Sequence, residues 1–418
     1  MDDNIKTESD KENRKKIYKR LGFGLSIIII FMSILLNYFT KNYLYNGKIA
    51  ENIFIQGIEI SHMTKEEAME VISEKYKPQN LNLSYEKNNY KINYEDIDLK
   101  YNTKELIEKA YNITRTGSYF DDITSYITIK SNGKKYTIKA TYDEEELDKY
   151  LVEISNSINK DVKSAKVSVG SGINITPSQT GLKFETEKNK ELIMQALDKK
   201  EYEDINLKVS VTKPNISTED VKSINTLLAS FSTTFNASLI ERSHNIALAA
   251  QKCDNVILKP GETFSYNEHT GMRTLSNGYL SASVIIGDEY EDAPGGGVCQ
   301  TSTTLFNAVL LSGLEITEVR NHSKTSSYVP RGRDAMVNDG WSDFKFTNNF
   351  DHTVYIKCYR SGNSVVAAIY GSSKDKVGVN INVDNFTYNG LPAAKTYRTI
   401  TKNGKSKKSH IYTSVYKQ

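Results

Sequence analysis

Three consecutive glycines that lead into a cysteine form the stretch whose residue types and spacing point most directly to chemistry. Residues 295–297 precede Val298 and Cys299, and from Leu305 onward apolar residues recur at four-residue spacing until Gly313. That period predicts a buried helix that ends at Gly313 and has Cys299 at or just before its N-terminus. The free N–H groups and the positive dipole at such an end favour a thiolate and can hold a developing oxyanion. The sequence therefore presents Cys299 as a candidate nucleophile.

A packing role is the alternative for Cys299, because cysteine is among the most buried residue types. The glycines before it and the four hydroxyl-bearing residues at 301–304 make a poor hydrophobic pocket, which favours the nucleophile. The other two cysteines, Cys253 and Cys358, lie in or beside apolar stretches and are interpreted as structural. Three widely spaced cysteines suit neither a disulfide framework nor a zinc site, so no metal or cofactor is expected.

The elements that must position Cys299 belong to a chain of ordinary globular composition. Its 418 residues, 38% hydrophobic and 25% charged, predict two or three domains. The net charge of +3 is the small difference between 54 basic and 51 acidic side chains, so the chain lacks the strong positive field of a nucleic-acid-binding protein. We therefore expect no nucleic acid as a partner.

An apolar segment near the N-terminus determines the expected location. From Leu21 to Phe39 no residue is charged, and a helix of this length spans roughly 28 Å, about one hydrocarbon core. Basic residues are concentrated before it, at Lys11, Arg14, Lys15, Lys16, Lys19 and Arg20. The positive-inside rule then predicts a cytoplasmic tail at 1–20, a membrane span at 21–39 and an extracellular remainder. Because no small-residue cleavage site follows the apolar core, we favour an anchor over a cleaved signal peptide.

The segment 50–214 is expected to form a first α+β domain with an internal repeat. Alternating apolar residues over 81–97 predict a hairpin that turns at the Asn-Asn pair at 88–89. The motif Leu-Lys-aromatic-x-Thr followed by a helix occurs at 99–113 and again at 182–197. This recurrence in the same order predicts two related units.

A second α+β domain is expected at 217–373, after a proline-containing linker, and a β-rich extension at 374–418. The turn sequence Lys-Pro-Gly-Glu at 259–262 separates two short apolar runs and predicts a hairpin. A helix upstream carries His244 on an apolar stripe. The predicted class is therefore α+β throughout, with the cysteine on a central helix of the second domain.

Seven sequence blocks in the second domain resemble the VanW family. They are Phe-Ser-Thr-Thr-Phe-Asn at 231–236, Arg-x-His-Asn-Ile at 242–246, Lys-Pro-Gly-Glu-Thr-Phe-Ser-Tyr-Asn at 259–267, Gly-Gly-Gly-Val-Cys-Gln-Thr-Ser-Thr-Thr-Leu at 295–305, Gly-Leu-Glu-Ile at 313–316, Tyr-Val-Pro-x-Gly-x-Asp-Ala at 328–335 and Asp-Phe-Lys-Phe-Thr-Asn at 343–348. The repeat domain before them resembles the peptidoglycan-binding domain that often precedes VanW domains. Together the two resemblances cover nearly all of the chain beyond the apolar segment.

This resemblance implies an activity and its partners. Some clostridial VanW members are understood as L,D-transpeptidases in which the cysteine of the Gly-Gly-x-Cys-Gln block is the nucleophile, and that cysteine corresponds to Cys299. The implied partners are the stem peptides and glycan of peptidoglycan. A composition rich in lysine, asparagine and isoleucine fits the low-GC Gram-positive source that the resemblance suggests.

Acyl transfer by a cysteine also requires a base. His322 is the first choice because it lies in a polar segment close in sequence to Asp334, which can orient it, and His244 is the alternative base. The plain alternatives are a solvated His322, a turn-forming Asp334 and a core His244. Substrate or oxyanion contacts are expected from Gly297, Gln300, Thr301, Ser302 and, for a carboxylate, Arg331.

Two functions of different classes follow. The first is a membrane-anchored L,D-transpeptidase that cross-links diaminopimelate residues of neighbouring stems, with trimming of the terminal D-residue as a side activity. The second is a non-catalytic peptidoglycan-binding or accessory protein linked to the glycopeptide response, in which Cys299 only packs. Product formation that depends on Cys299 separates the two.

Overall fold

By its internal contacts the chain divides into two units, 1–159 with 182–210 and 160–181 with 211–418. The computed structural model describes residues 3–203, 205–286 and 289–417. Residues 1, 2 and 418, at the far ends of the predicted tail and extension, lie outside the described residues. Both units combine helices with small, mostly antiparallel sheets, which confirms the predicted α+β class.

A long N-terminal helix, α1 (Asp3–Phe39), contains the apolar segment and continues into a π-helical turn at Thr40–Leu44. Between Lys11 and Leu44 it is long and apolar enough to cross a membrane. Its apolar side chains, such as those of Ile28 and Phe31, are more than half exposed. The helix begins well before residue 21 because the lysines, arginines and glutamates of the tail are themselves good helix formers.

Short strands and amphipathic helices alternate from residue 45 to residue 212. In chain order they are β1 (Ile53–Ile55), β2 (Ile58–Glu59), α2 (Lys65–Lys75), β3 (Leu81–Tyr85), β4 (Asn88–Ile92), β5 (Lys100–Tyr101), α3 (Thr103–Asn112), α4 (Tyr119–Asn132), β6 (Lys134–Tyr136), β7 (Ala140–Thr141), α5 (Glu144–Ile158), β8 (Lys166–Val169), β9 (Ile173–Thr176), β10 (Gly181–Phe184), α6 (Thr186–Lys199), β11 (Ile205–Asn206) and β12 (Val209–Thr212). Of these, the hairpin of β8 and β9 belongs to the second unit. The first unit's core is mainly isoleucine and leucine from its helices and strands.

The hairpin of β3 and β4 differs in its turn from the prediction. Leu81 lies opposite Ile92, so the chain reverses at Glu86 and Lys87, and Glu86 adopts a φ of 53°. The predicted turn at 88–89 was wrong because these two asparagines extend the second strand. The repeat motif holds its order, since β5 leads into α3 and β10 leads into α6.

The second unit is built around one buried helix. Its remaining elements are α7 (Thr218–Val221), β13 (Thr226–Thr234), α8 (Ile240–Lys252), β14 (Val256–Leu258), β15 (Thr263–Ser265), α9 (Tyr266–Thr270), β16 (Ser281–Ile286), β17 (Glu289–Pro294), α10 (Val298–Ser312), β18 (Glu315–Glu318), β19 (Lys345–Thr347), β20 (Val354–Ser361), β21 (Ser364–Gly371), β22 (Gly378–Tyr388), β23 (Leu391–Lys402) and β24 (Lys405–Val415). Helix α10 packs against α8 and against β13 and β21 of the four-stranded sheet β13-β21-β20-β14. The other sheets include β15-β19-β18 and β22-β23-β24.

Two local predictions for this unit were wrong. The strands flanking the turn at 259–262 do not pair with each other: β14 joins β20 and β15 joins β19, so the turn connects two sheets. In α8 the buried residues are Ser243, Asn245, Ile246, Ala249 and Ala250, whereas His244 is exposed. The apolar stripe that includes His244 is therefore not the packed face of this helix.

Candidate active site

Cys299 is the second residue of helix α10. The N-cap, Gly297, has a φ of 108°, a backbone conformation that side-chain-bearing residues rarely adopt. Val298 and all residues from Gln300 to Thr304 are buried, whereas Cys299 is partly exposed. The helix thus begins where the apolar period and the glycines predict, and Cys299 is the residue of this turn that is not fully buried.

The glycines allow the turn before the helix to pass very close to its neighbours. A Cβ atom on Gly296 would lie 2.5 Å from the carbonyl oxygen of Ala282, and one on Gly297 would lie 3.0 Å from Cγ of Arg242. Nδ2 of Asn245 donates a 3.0 Å hydrogen bond to the carbonyl of Gly296. The turn, and with it the start of α10, is therefore fixed against α8 and β16.

The environment of the Cys299 thiol favours its ionised form. Sγ lies 3.4 Å from the carbonyl oxygen of Val337 and within hydrogen-bonding reach of the His322 ring. Burial acts to raise the pKa of the thiol, but the hydrogen bond and charge of His322 outweigh it, and the pKa is lowered. The amide of Cys299 makes no hydrogen bond to the described residues, as expected of an N–H group in the first turn of a helix. This N–H group can therefore donate a hydrogen bond to an oxyanion.

His322 and Asp334 form a buried pair beside the thiol. Nδ1 of the ring and the backbone N–H of His322 each lie 2.7 Å from Oδ2 of Asp334, which leaves Nε2 of the ring for Cys299. The side chains are 11% and 1% exposed. Burial acts to lower the pKa of the imidazole, but Asp334 and Cys299 together raise it to about 10. The three side chains therefore form a chain of contacts, Asp334 to His322 to Cys299, that favours thiolate and imidazolium.

The C-terminal sheet supplies further partners to Asp334. The hydroxyl of Tyr416 donates to Oδ1 of Asp334 at 2.6 Å, and the hydroxyl of Tyr412 donates to its backbone carbonyl at 2.7 Å. Nδ2 of Asn321, next to His322, donates to the carbonyl of Val415 at 2.9 Å. The segment 374–418 thus completes the surroundings of this pair, which sequence reasoning missed because no local pattern links it to residue 334.

The polar side chains that follow Cys299 are buried and form hydrogen bonds within the protein. Gln300, Thr301 and Ser302 each donate to a backbone carbonyl; the acceptors are, in order, Thr234 at 2.8 Å, Ile246 at 3.3 Å and Ala335 at 2.5 Å. These bonds hold α10 to its neighbours and to the segment that carries Asp334. The donors of these three side chains are therefore engaged within the protein.

The structure places the remaining base and carboxylate-binding candidates of the sequence analysis in exposed positions. Nε2 of His244 is 2.9 Å from the carbonyl oxygen of Gly278, on the exposed face of α8. Arg331 is exposed in the turn that precedes Asp334. Neither makes a contact with Cys299 in the described structure, and the imidazole beside the thiol is that of His322.

Tyr328 is a neighbour of the thiol that the sequence analysis did not single out. Burial raises the pKa of its phenol, and the nearby charge of Cys299 raises it further, while a hydrogen bond with Thr303 opposes the rise. Tyr328 is therefore a neutral hydrogen-bonding group at the site. The only available signal was its place in the block Tyr-Val-Pro-x-Gly-x-Asp-Ala, six residues before Asp334.

The other two cysteines differ from Cys299 in both burial and acidity. All three are free thiols, but Cys253 and Cys358 are buried in the hydrophobic core of the second unit. Burial raises the pKa of Cys358 to about 12 and that of Cys253 well above its ordinary value. Among residues 3–203, 205–286 and 289–417, no group of three or more His, Cys, Asp or Glu side chains is placed to hold a metal ion.

Comparison with curated proteins gives relatives of part of this chain. It is 43% identical over 160 residues to the uncharacterized protein YoaR of Bacillus subtilis (strain 168), an alignment covering 38% of this chain and 53% of the relative. It is 27% identical over 135 residues to the vancomycin B-type resistance protein VanW of Enterococcus faecalis (strain ATCC 700802 / V583), covering 31% and 49%. The chain thus spans about half the length of the curated relatives that it matches. No solved structure matches it.

Family models match two separate parts of the chain. The model described as "VanW like protein" matches residues 241–370, which include Cys299, His322 and Asp334. The model described as "Putative peptidoglycan binding domain" matches residues 90–206. A segment similar to a putative peptidoglycan-binding domain is therefore followed by a VanW-like domain, and the candidate active site lies in the VanW-like domain.

Proposed function

We propose that this protein is a membrane-anchored peptidoglycan L,D-transpeptidase that uses Cys299 as its nucleophile. The observation that carries the proposal is the contact chain from Asp334 through His322 to a partly exposed thiol at a helix N-terminus. A nucleophile, a base and an orienting carboxylate in this order are the parts that acyl transfer requires. The two domains, both related to cell-wall proteins, supply the substrate class.

In the first step the Cys299 thiolate attacks the carbonyl carbon at the L-centre of diaminopimelate. The carbonyl oxygen becomes an oxyanion, which the free amide of Cys299 and the positive end of α10 stabilise. The C–N bond to the terminal D-amino acid then breaks, and Nε2–H of His322 protonates the leaving amine. The products are a thioester on Cys299, a neutral His322 and the free D-amino acid.

In the second step an amine on a neighbouring stem attacks the thioester. Neutral His322 accepts the proton that this amine loses, the new C–N bond forms, and the C–S bond breaks to regenerate the thiolate. Asp334 stabilises the imidazolium at both ends of the cycle and fixes which ring nitrogen faces the thiol. Attack by water in place of the amine trims the terminal D-residue and gives the carboxypeptidase side activity.

The remainder of the chain places this chemistry at the wall. Helix α1 anchors the protein with its basic end in the cytoplasm, following the positive-inside rule, and the two units lie outside. The peptidoglycan-binding domain holds glycan or stem peptide. A groove of about 530 Å³ in the first unit, lined by apolar and charged residues that include Tyr85, Leu192, Lys188 and Glu191, is its candidate contact surface.

The decisive experiment supplies the full chain in detergent with a purified disaccharide-tetrapeptide. We expect a cross-linked dimer and free D-amino acid from the wild-type protein and from Cys358→Ala, and neither product from Cys299→Ala. An acyl-thioester on Cys299 should also be detectable by mass spectrometry at short times. If folded wild-type protein gives no product and no adduct, the transpeptidase proposal is wrong and the non-catalytic accessory role takes its place.

A further inference from the structure

We propose that Arg242 is the carboxylate-binding residue of this site and selects donor stems that end in a free carboxylate one residue beyond the bond that is cleaved. This inference rests on the proposed function and adds a substrate-recognition residue to it. The sequence analysis expected Arg331 in such a role, and Arg331 is an exposed side chain.

The first observation is the place of Arg242. It lies in the first turn of α8, and its Cγ is next to Gly297, the residue that caps the cysteine helix. Its Nη2 donates a 3.1 Å hydrogen bond to Oε1 of Gln300, the residue that follows Cys299. The guanidinium group therefore lies at the N-terminal end of α10.

The second observation is that this cation has no acidic partner among the side chains that the structure describes. Among the described residues no carboxylate forms an ion pair with Arg242, although the group is partly buried. Its neighbour Arg273, whose side chain lies against Gly295, pairs with Asp339 and donates to Asn267 at 2.6 Å. A partly desolvated guanidinium that lacks a carboxylate partner is stabilised by an added anion. Arg242 is thus preorganised for a ligand carboxylate.

The third observation links Arg242 to the reacting atoms through Tyr328. Burial and the charge of Cys299 raise the pKa of the Tyr328 phenol, and the positive charge of Arg242 opposes that rise. The phenol is therefore close enough to feel both the thiolate and the guanidinium. Tyr328 thus connects the surroundings of Cys299 to Arg242, whereas the arginine charge that acts on the thiol itself is that of Arg273.

The chemistry of the donor explains what this cation would bind. The amino acid that leaves in the first step carries its own carboxylate, two bonds from the nitrogen of the cleaved amide. A guanidinium fork holds such a group through two parallel hydrogen bonds, and the helix N-terminus adds to the favourable field. A donor whose last carboxylate is amidated, or lies one residue further on, would leave Arg242 without its partner.

The test compares two donors with the full chain in detergent: the disaccharide-tetrapeptide as a free acid and the same molecule as a C-terminal carboxamide. Wild-type protein should prefer the acid in kcat/KM by about 10-fold or more. Arg242→Gln should lose that preference through a higher KM for the acid, with the carboxamide unaffected. Arg242→Lys keeps the positive charge but not the two parallel hydrogen bonds of a guanidinium. Its preference for the acid should lie between those of wild type and Arg242→Gln. Arg360→Gln, on an exposed arginine of β20, should behave as wild type.

Binding to Cys299→Ala protein separates this inference from the proposed function. If calorimetry finds that the acid binds more tightly than the carboxamide and that Arg242→Gln removes the difference, Arg242 is the carboxylate site even where no turnover occurs. If the wild type turns over both donors equally, or Arg242→Gln keeps the acid preference, the inference is wrong while the transpeptidase proposal stands. Arg242→Lys serves the same comparison where Arg242→Gln is poorly folded.

Discussion

The hydroxyl of Tyr416 donates a 2.6 Å hydrogen bond to Oδ1 of Asp334, while His322 occupies Oδ2 through both its ring and its backbone. The same hydroxyl accepts a 2.7 Å bond from the amide of Gly332. Both oxygens of the buried carboxylate are therefore engaged, one by His322 and the other by the end of the C-terminal sheet. This fixes the plane of the carboxylate and, through it, the orientation of the imidazole.

Removal of the Tyr416 hydroxyl should slow the reaction without weakening substrate binding. We expect Tyr416→Phe to lower kcat about 10-fold with little change in KM, because a hydrogen bond to a buried charged group contributes about 1.5–3 kcal/mol. As a positioning residue, Tyr416 should also alter the pH profile of Cys299 alkylation. Tyr397→Phe, on the neighbouring strand β23, is the matched control and should change neither measurement. An unaltered profile in Tyr416→Phe would limit the tyrosine to a structural role.

The pH dependence of thiol reactivity tests the ion pair directly. Because the pKa of Cys299 is lowered and that of His322 is raised to about 10, thiolate and imidazolium coexist between the two values. Alkylation by iodoacetamide should therefore already be fast near pH 7. In His322→Gln the two largest influences that lower the pKa of the thiol are lost while burial, which raises it, remains. The rate at pH 7 should therefore fall about 10-fold or more and recover as the pH rises.

The same His322→Gln protein should lose turnover by about 100-fold or more, since it has no proton acceptor beside the thiol. Cys253 and Cys358 are buried and should not react in the native protein, so a single modified site is expected by peptide mapping. Equal turnover in wild type and His322→Gln would direct the search for the base to His244.

Substitution of the orienting carboxylate gives a further prediction. Asp334→Asn should reduce turnover about 100-fold or more, because the amide cannot balance the imidazolium charge and can present its NH₂ group to the ring. The imidazole pKa should fall, and the thiol pKa should rise with it. Asp343→Asn is a suitable comparison, since Asp343 is also buried but bonds to Ser265 and Asn267 instead. That variant should lose stability and keep the alkylation profile of Cys299.

The glycine turn should be intolerant of even one methyl group. In Gly296→Ala the new Cβ would lie 2.5 Å from the carbonyl oxygen of Ala282, a backbone atom that cannot move aside easily. Overpacking of this kind costs about 1–3 kcal/mol, which corresponds to a Tm lower by roughly 3 °C or more. Gly170→Ala, where nothing lies within 4 Å of the added atom, should melt like the wild type. Equal melting of the two variants would contradict the close approach.

The parts of the site that sequence reasoning reached are those encoded locally. The period after Leu305 and the glycines fixed the helix and put Cys299 at its start, and the short separation of His322 from Asp334 suggested that they meet. Residue type was sufficient here, because a helix N-terminus and a polar loop have recognisable compositions.

The parts that sequence reasoning did not reach depend on contacts between distant segments. Tyr416 bonds to Asp334 across more than eighty residues, and nothing near either residue indicates it. The two strands beside the turn at 259–262 have the composition of a hairpin, but their partners lie in β19 and β20. The choice between Arg242 and Arg331 likewise required the position of α8 against the cysteine helix. Periodicity identifies elements, whereas long-range packing decides which of them meet.

The contribution of the C-terminal sheet to Asp334 also sets an order of events during synthesis. A ribosome makes the chain from its N-terminus, so Cys299, His322 and Asp334 emerge well before Tyr412 and Tyr416 can reach them. Until the C-terminal segment docks, the carboxylate of Asp334 lacks its Tyr416 partner and its backbone carbonyl lacks Tyr412, so the imidazole is less firmly oriented. The reactive thiolate is then a property of the completed fold, and the nascent chain carries an ordinary thiol.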